Sequence, residues 1–221
     1  MATVPADIAR LMNNARLRLT GATDAVLQQE LFSVMDDFFK GSNVWNEDIN
    51  VTIPGMDAAG TEYQLAPEAP ALIDKLLWVF QQPTDTSIGR GPAITAAMST
   101  PGVLTLKTQP SSTVVYIVTV ALTVADPADR NGYVQFPAWV LAKYRETILD
   151  GLLGRMMTQP SKPYTNSQMA IYHLRKFKQA TASARVEWTR NNTYRAQAWA
   201  FPGGFSGGSQ RGGRSGWGGP A

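Results

Sequence analysis

The single histidine, His173, is the natural place to look for acid–base chemistry, because imidazole changes charge near neutral pH. No carboxylate lies three or four residues from it in either direction. Nothing on its own helix would orient the ring, and a packed structural histidine is the expectation. Gly204-Phe-Ser206-Gly-Gly208 has the spacing of a hydrolase nucleophile elbow. That elbow needs a strand before it and a helix after it, whereas both flanks here are glycine-rich. Asp129-Arg-Asn131-Gly132 echoes a calcium loop, but the first and twelfth ligand positions would be Pro127 and Ala138, which cannot coordinate. The adjacent carboxylates Asp36-Asp37 and Glu47-Asp48 would point about 100° apart on a helix, so solvated charge is expected rather than a shared metal. The chain has no cysteine, which excludes disulfides, thiolate zinc sites and cysteine nucleophiles. Phosphate-cradling glycine motifs are missing after every candidate strand. The expectation is a protein with no catalytic residues, metal or cofactor.

The remaining chemistry is positive charge. Residues 1–50 carry 4 basic and 7 acidic side chains, residues 51–140 again 4 and 7, and residues 141–221 carry 12 and 3. The whole net charge of +3 therefore originates in the last third. Such a distribution suits a polyanion or an acidic protein partner. Nine of the 19 glycines fall in the final 19 residues, interrupted by Phe205, Trp217, Arg211 and Arg214. Together with Trp199 and Phe201 these read as an extended arm docking on protein, aromatic rings as anchors and arginines as charge contacts. Arg211-Gly-Gly213 and Arg214-Ser-Gly216 also resemble RGG segments, so a nucleic-acid-binding module is the second reading.

The elements that would carry these groups follow from periodicity. Ile8, Leu11, Met12, Ala15 and Leu19 predict a helix ending at Gly21; Leu27, Leu31, Val34, Met35 and Phe38 predict a second, ending at Lys40-Gly41. Ile49, Val51 and Ile53 alternate before Pro54-Gly55, and Thr61 to Leu65 is a second candidate strand, giving a hairpin or a longer β-loop. Leu72, Ile73, Leu76, Leu77 and Phe80 recur at helical spacing and predict a helix inserted among strands. Val103–Lys107 and Val114–Val124 are strands joined by a turn at Gln109-Pro-Ser-Ser112. The second, at eleven residues, spans about 36 Å, which suggests that it projects beyond its sheet or is completed by a neighbouring subunit.

A helix from about Ala138, broken by Gln159-Pro-Ser-Lys-Pro-Tyr164, is apolar over more than half its circumference toward its C-terminal end, and so is expected to be buried on two sides. Thr165 and Gln168 form a capping box opening a long helix to about Thr189. Its inner side would carry Met169, Tyr172 or His173, Phe177, Ala180, Ala184 and Trp188, and Arg175, Lys176, Lys178, Arg185, Arg190 and Arg195 decorate it, opposed only by Glu187. The expected fold is α+β: a helical bundle with a long C-terminal helical hairpin, an inserted antiparallel β domain and an extended C-terminal arm. The divisions are 1–45, 46–132, 133–195 and 196–221. The N-terminus lacks a basic segment followed by an apolar one, and the most apolar stretch, Val114–Ala125, is shorter than the ~20 residues of a membrane helix. An intracellular chain without membrane contact is expected.

Four blocks carry a resemblance. They are Asp150-Gly-Leu-Leu-Gly-Arg-Met-Met-Thr-Gln-Pro-Ser-Lys-Pro-Tyr164, Ala170-Ile-Tyr-His-Leu-Arg-Lys-Phe177, Asn192-Thr-Tyr-Arg-Ala-Gln-Ala-Trp-Ala-Phe-Pro202 and Leu31-Phe-Ser-Val-Met-Asp-Asp-Phe-Phe39. With them the chain resembles the head-to-tail adaptor (connector) proteins of short-tailed bacteriophages from about residue 25 to 202. The resemblance implies a non-enzymatic virion protein of the phage neck, a homo-oligomer forming a twelve-subunit ring. Its partners would be the portal protein, a tail nozzle protein and double-stranded DNA passing without sequence readout. It implies a C-terminal arm reaching onto the portal, although the glycine-rich end is not part of the shared pattern; the residues expected to serve are Trp199, Phe201, Phe205, Arg211, Arg214 and Trp217 in the portal-binding arm and Tyr172, His173, Phe177, Arg185 and Trp188 on a subunit-interface helix.

Overall fold

The computed structural model describes residues 5–56, 60–67, 70–83, 91–126 and 134–191. Four helices and six strands follow in the order α1 (Pro5–Arg16), α2 (Asp24–Ser42), β1 (Asn46–Ile53), β2 (Glu62–Gln64), β3 (Ala71–Gln81), β4 (Ala96–Thr100), β5 (Val103–Leu106), β6 (Val114–Val124), α3 (Ala138–Met157) and α4 (Ser167–Asn191). The strands form two antiparallel three-stranded sheets, β1-β6-β3 and β2-β5-β4. Helices stand at both ends of the described chain.

The α+β class holds, but the architecture expected within it does not. Residues 72–80 are strand β3 and not an inserted helix. Register shifts between Ile73 and Lys75 and between Leu76 and Trp78 leave Asp74 and Leu77 as extra residues opposite β6. Two bulges so close together break the period of two, and the aliphatic spacing they leave mimics a helix. A long C-terminal helical hairpin and a separate inserted β domain are also not what is found. Tyr144 is non-helical inside α3 (φ −116°, ψ 19°), and one buried cluster runs from Leu27, Val34 and Phe38 through Val118, Val120 and Leu122 to Leu152 and Trp188. The extended arm, with Trp199 through Trp217, lies outside the described residues.

Strand pairing differs from what the neighbouring turns predict. Residues around 49–53 and 61–65 do not form a hairpin, because β1 pairs with β6 and β2 with β5. Nor does β5 pair with β6 across Gln109–Ser112. Pro54-Gly55 instead packs on that segment: a Cβ on Gly55 would lie 2.5 Å from Ser112 Cα, and Met56 donates its N–H to Pro110 at 3.0 Å. The long β6 does not await a neighbouring subunit. It is the centre of its sheet, paired with β1 over residues 114–121 and with β3 over 116–124, and every residue from Val118 to Val124 is buried.

The helices are placed by local chemistry. α2 runs through Gly41 and ends at Asn43 in the left-handed conformation (φ 57°), its N–H bonded to Phe39 O, so Gly41 is a packing residue and not the stop. A Cβ there would meet Thr181 at 2.7 Å. The cap of α4 is Asn166, whose Oδ1 accepts the N–H of Met169 at 3.1 Å; Thr165 donates its hydroxyl to Gln159 O instead, so the expected capping box is not formed. At the centre, Phe39 meets Trp45 edge-on with ring centroids 5.0 Å apart, and Phe38 lies 5.1 Å from Tyr144. Fully burying one such ring contributes about 1.5–3 kcal/mol.

Candidate functional site

The α3–α4 seam gathers the polar groups that reading along the sequence left separate. Gly151 and Gly154 let α4 come close to α3: a Cβ on Gly154 would lie 2.7 Å from Leu174 Cγ, and one on Gly151 would lie 2.8 Å from the Phe177 ring. Asp150 lies beside these glycines. Its Oδ1 is 2.7 Å from His173 Nδ1 and its Oδ2 is 3.0 Å from Lys176 Nζ. The carboxylate holds Lys176 above the ordinary lysine range, chiefly through that hydrogen bond. Lys176 also lies over the Tyr172 ring, and Tyr172 meets His173 edge-on.

Chemically this is a carboxylate orienting an imidazole, two members of a general-base relay. His173 is only 5% exposed and Asp150 7%. The hydrogen bond between them ties α4 to α3. Sequence reading missed Asp150 because its partner is 23 residues away on another helix. The available signal was its isolation: it is the one acidic residue between Ile148 and Val186.

Of the adjacent acids expected to be solvated, Asp37 and Asp48 are exposed as expected, while Asp36 is half-buried, and each of these bonds another element. Asp36 accepts the hydroxyl of Thr123 at 2.7 Å and the ammonium of Lys40 at 2.7 Å, tying α2 to β6; the bond to Asp36 raises the Lys40 pKa. Asp37 bonds Arg155 of α3, and Asp48 takes the Thr119 hydroxyl across β1–β6. Near the far end of α4, Lys143 pairs with Glu187; the hydrogen bond lowers the Glu187 pKa and raises that of Lys143. Trp78 stacks on Trp188 with centroids 5.1 Å apart and planes 13° from parallel.

The residues expected on a subunit-interface helix divide between two faces of α4. His173, Phe177 and Trp188 point into the core, at 5, 7 and 9% exposure, while Tyr172 and Arg185 face outward. That outward face is the most distinctive feature of the described surface. Arg175, Lys178, Arg185 and Arg190 are exposed and form no ion pair among the described residues. Ile171, Tyr172 and Val186 are exposed between them at 50% or more. Met169, expected on the inner side, is 41% exposed. The six arm residues from Trp199 to Trp217 lie outside the described residues and are brought to no site here.

Among the described residues no group of three His, Cys, Asp or Glu side chains is placed to hold a metal ion, and no helix is long and apolar enough to cross a membrane. Neither a family model nor a curated protein matches the chain.

Proposed function

We propose that the protein is a non-enzymatic assembly component, a ring-forming head-to-tail adaptor of a short-tailed phage that joins the portal to the tail nozzle around the DNA channel. The observation that carries this reading is the outward face of α4, a 25-residue helix whose exposed cations alternate with exposed Ile171, Tyr172 and Val186. Its inner face is fully engaged in the core. Such a mixture suits docking on protein better than catalysis, and the blocks that carry the adaptor resemblance lie largely on α2, α3 and α4. The ionic groups of the described core support the same reading, because they bridge element to element instead of converging on a cleft.

The test is co-sedimentation with isolated portal rings, with negative-stain imaging of the bound fraction. Ring-shaped density added to the portal is the expected result. A monomer that leaves portal rings undecorated would refute the reading. The second reading, binding to nucleic acid, draws on the four unpaired cations of α4. A gel shift with duplex DNA at two ionic strengths decides it, since counterion release makes such binding fall steeply with salt.

A further inference from the structure

We infer that the outward face of α4 is a helix-docking seam whose partner is an acidic amphipathic helix from another protein. The spacing along α4 supports this. Tyr172, Gln179 and Val186 recur every seven residues, and Arg175, Ala182 and Thr189 recur at the same interval three residues on. Those six positions form one stripe, the arrangement by which two helices pack side by side. The stripe is exposed along its length, and Ala182 and Ser183 carry small side chains at its middle. Small residues there allow a second helix to approach closely.

The flanks select the occupant by charge. On one side run Ile171, Lys178 and Arg185; on the other run Lys176, Ser183 and Arg190. Lys176 is engaged by Asp150 and Glu187 by Lys143, so the charge left for a partner is positive on both sides. A second copy of this helix, parallel or antiparallel, would set Arg185 against Arg190 or against Lys178. Like charges across a helix pair disfavour pairing of α4 with α4 of a second copy. The chain's own segment 192–221 is excluded on the same ground: it carries Arg195, Arg211 and Arg214 and no Asp or Glu. The complement is a helix with apolar or small residues on its seam and Asp or Glu on both flanks. A plain polyanion would match the cations but would leave Tyr172, Ile171 and Val186 uncovered.

This inference rests on the same α4 face as the adaptor reading and adds the chemistry of the partner. Its test needs no portal, so the two fail separately. The full chain is titrated by fluorescence anisotropy with three labelled probes. These are a designed amphipathic helix with a Leu/Ala seam and Glu flanks, the same helix with Lys flanks, and a scrambled peptide of the Glu composition. The expected result is binding of the Glu-flanked helix alone. K178E/R185E should weaken it about tenfold or more and transfer binding to the Lys-flanked helix. Ala182→Glu should weaken it with the fold intact by circular dichroism. Equal affinity for the scrambled peptide or for a 20-base-pair duplex would overturn the proposal in favour of a simple polyanion surface. Absence of binding by the Glu-flanked helix at 100 µM would overturn it outright. So would a drop in oligomeric mass of the free protein caused by K178E/R185E, which would identify the occupant as a second copy.

Discussion

Asp150 is the residue on which the α3–α4 seam depends, because a carboxylate at 7% exposure is tolerable only while both its oxygens have partners. Asp150→Ala leaves His173 without an acceptor inside the seam and should cost about 1–3 kcal/mol. Asp150→Asn keeps a hydrogen bond to the ring and should cost less. Urea unfolding checks both, the loss appearing as a lower midpoint at unchanged slope. Lys176 adds a pH signature. Its folded pKa lies above the ordinary 10.5 because Asp150 holds the ammonium. That contribution is therefore complete below pH 10.5 and is lost as pH rises through the folded value. Buried Tyr116 and half-buried Tyr144, whose pKa values are raised chiefly by desolvation, push stability the same way at high pH. Stability should fall above about pH 10, and Lys176→Met should make that fall shallower in unfolding curves taken between pH 9 and 12. An unchanged slope in the variant would mean that the ion pair contributes nothing to folding.

At the scale of the element, α3 is decided by its glycines more than by its leucines. Alanine normally favours a helix over glycine by about 1 kcal/mol. At Gly154 the added methyl would meet Leu174 Cγ at 2.7 Å and the Leu174 backbone nitrogen at 3.1 Å, and backbone cannot rotate away. Gly154→Ala should thus destabilise by about 1–3 kcal/mol net, the reverse of the propensity effect. Thermal melting reads it as a lower midpoint. The same elements show what the sequence could convey. The helices were legible because each has one apolar stripe at uniform spacing, as in Leu27, Leu31, Val34 and Phe38, and burial enforces that stripe. β3 was not, since bulges at Asp74 and Leu77 erase alternation. Strand pairing was not either, because β6 gathers β1 from about 65 residues before it and β3 from about 40, and no turn residue encodes contacts at that distance. Of the site, the cations of α4 could be read directly, whereas Asp150 could not be matched to His173 without knowing which helices touch.

For the molecule as a whole, the positive last third resolves into two surfaces. Arg175, Lys178, Arg185 and Arg190 belong to a helix anchored in the core, and Arg211 and Arg214 belong to the glycine-rich end of the sequence. If both engage a portal ring through separate contacts, their contributions to binding should add. Deleting residues 203–221 and introducing K178E/R185E should then each weaken association with portal rings, and the double variant should lose the sum of the two free energies to within about 0.5 kcal/mol. A loss well below that sum would mean the two segments grip one shared site. Only the helix substitution should alter affinity for the Glu-flanked probe, because the arm carries no part of the seam. Measuring both affinities for the four proteins thus separates a helix that recognises an acidic partner from an arm that strengthens whatever the helix has already found.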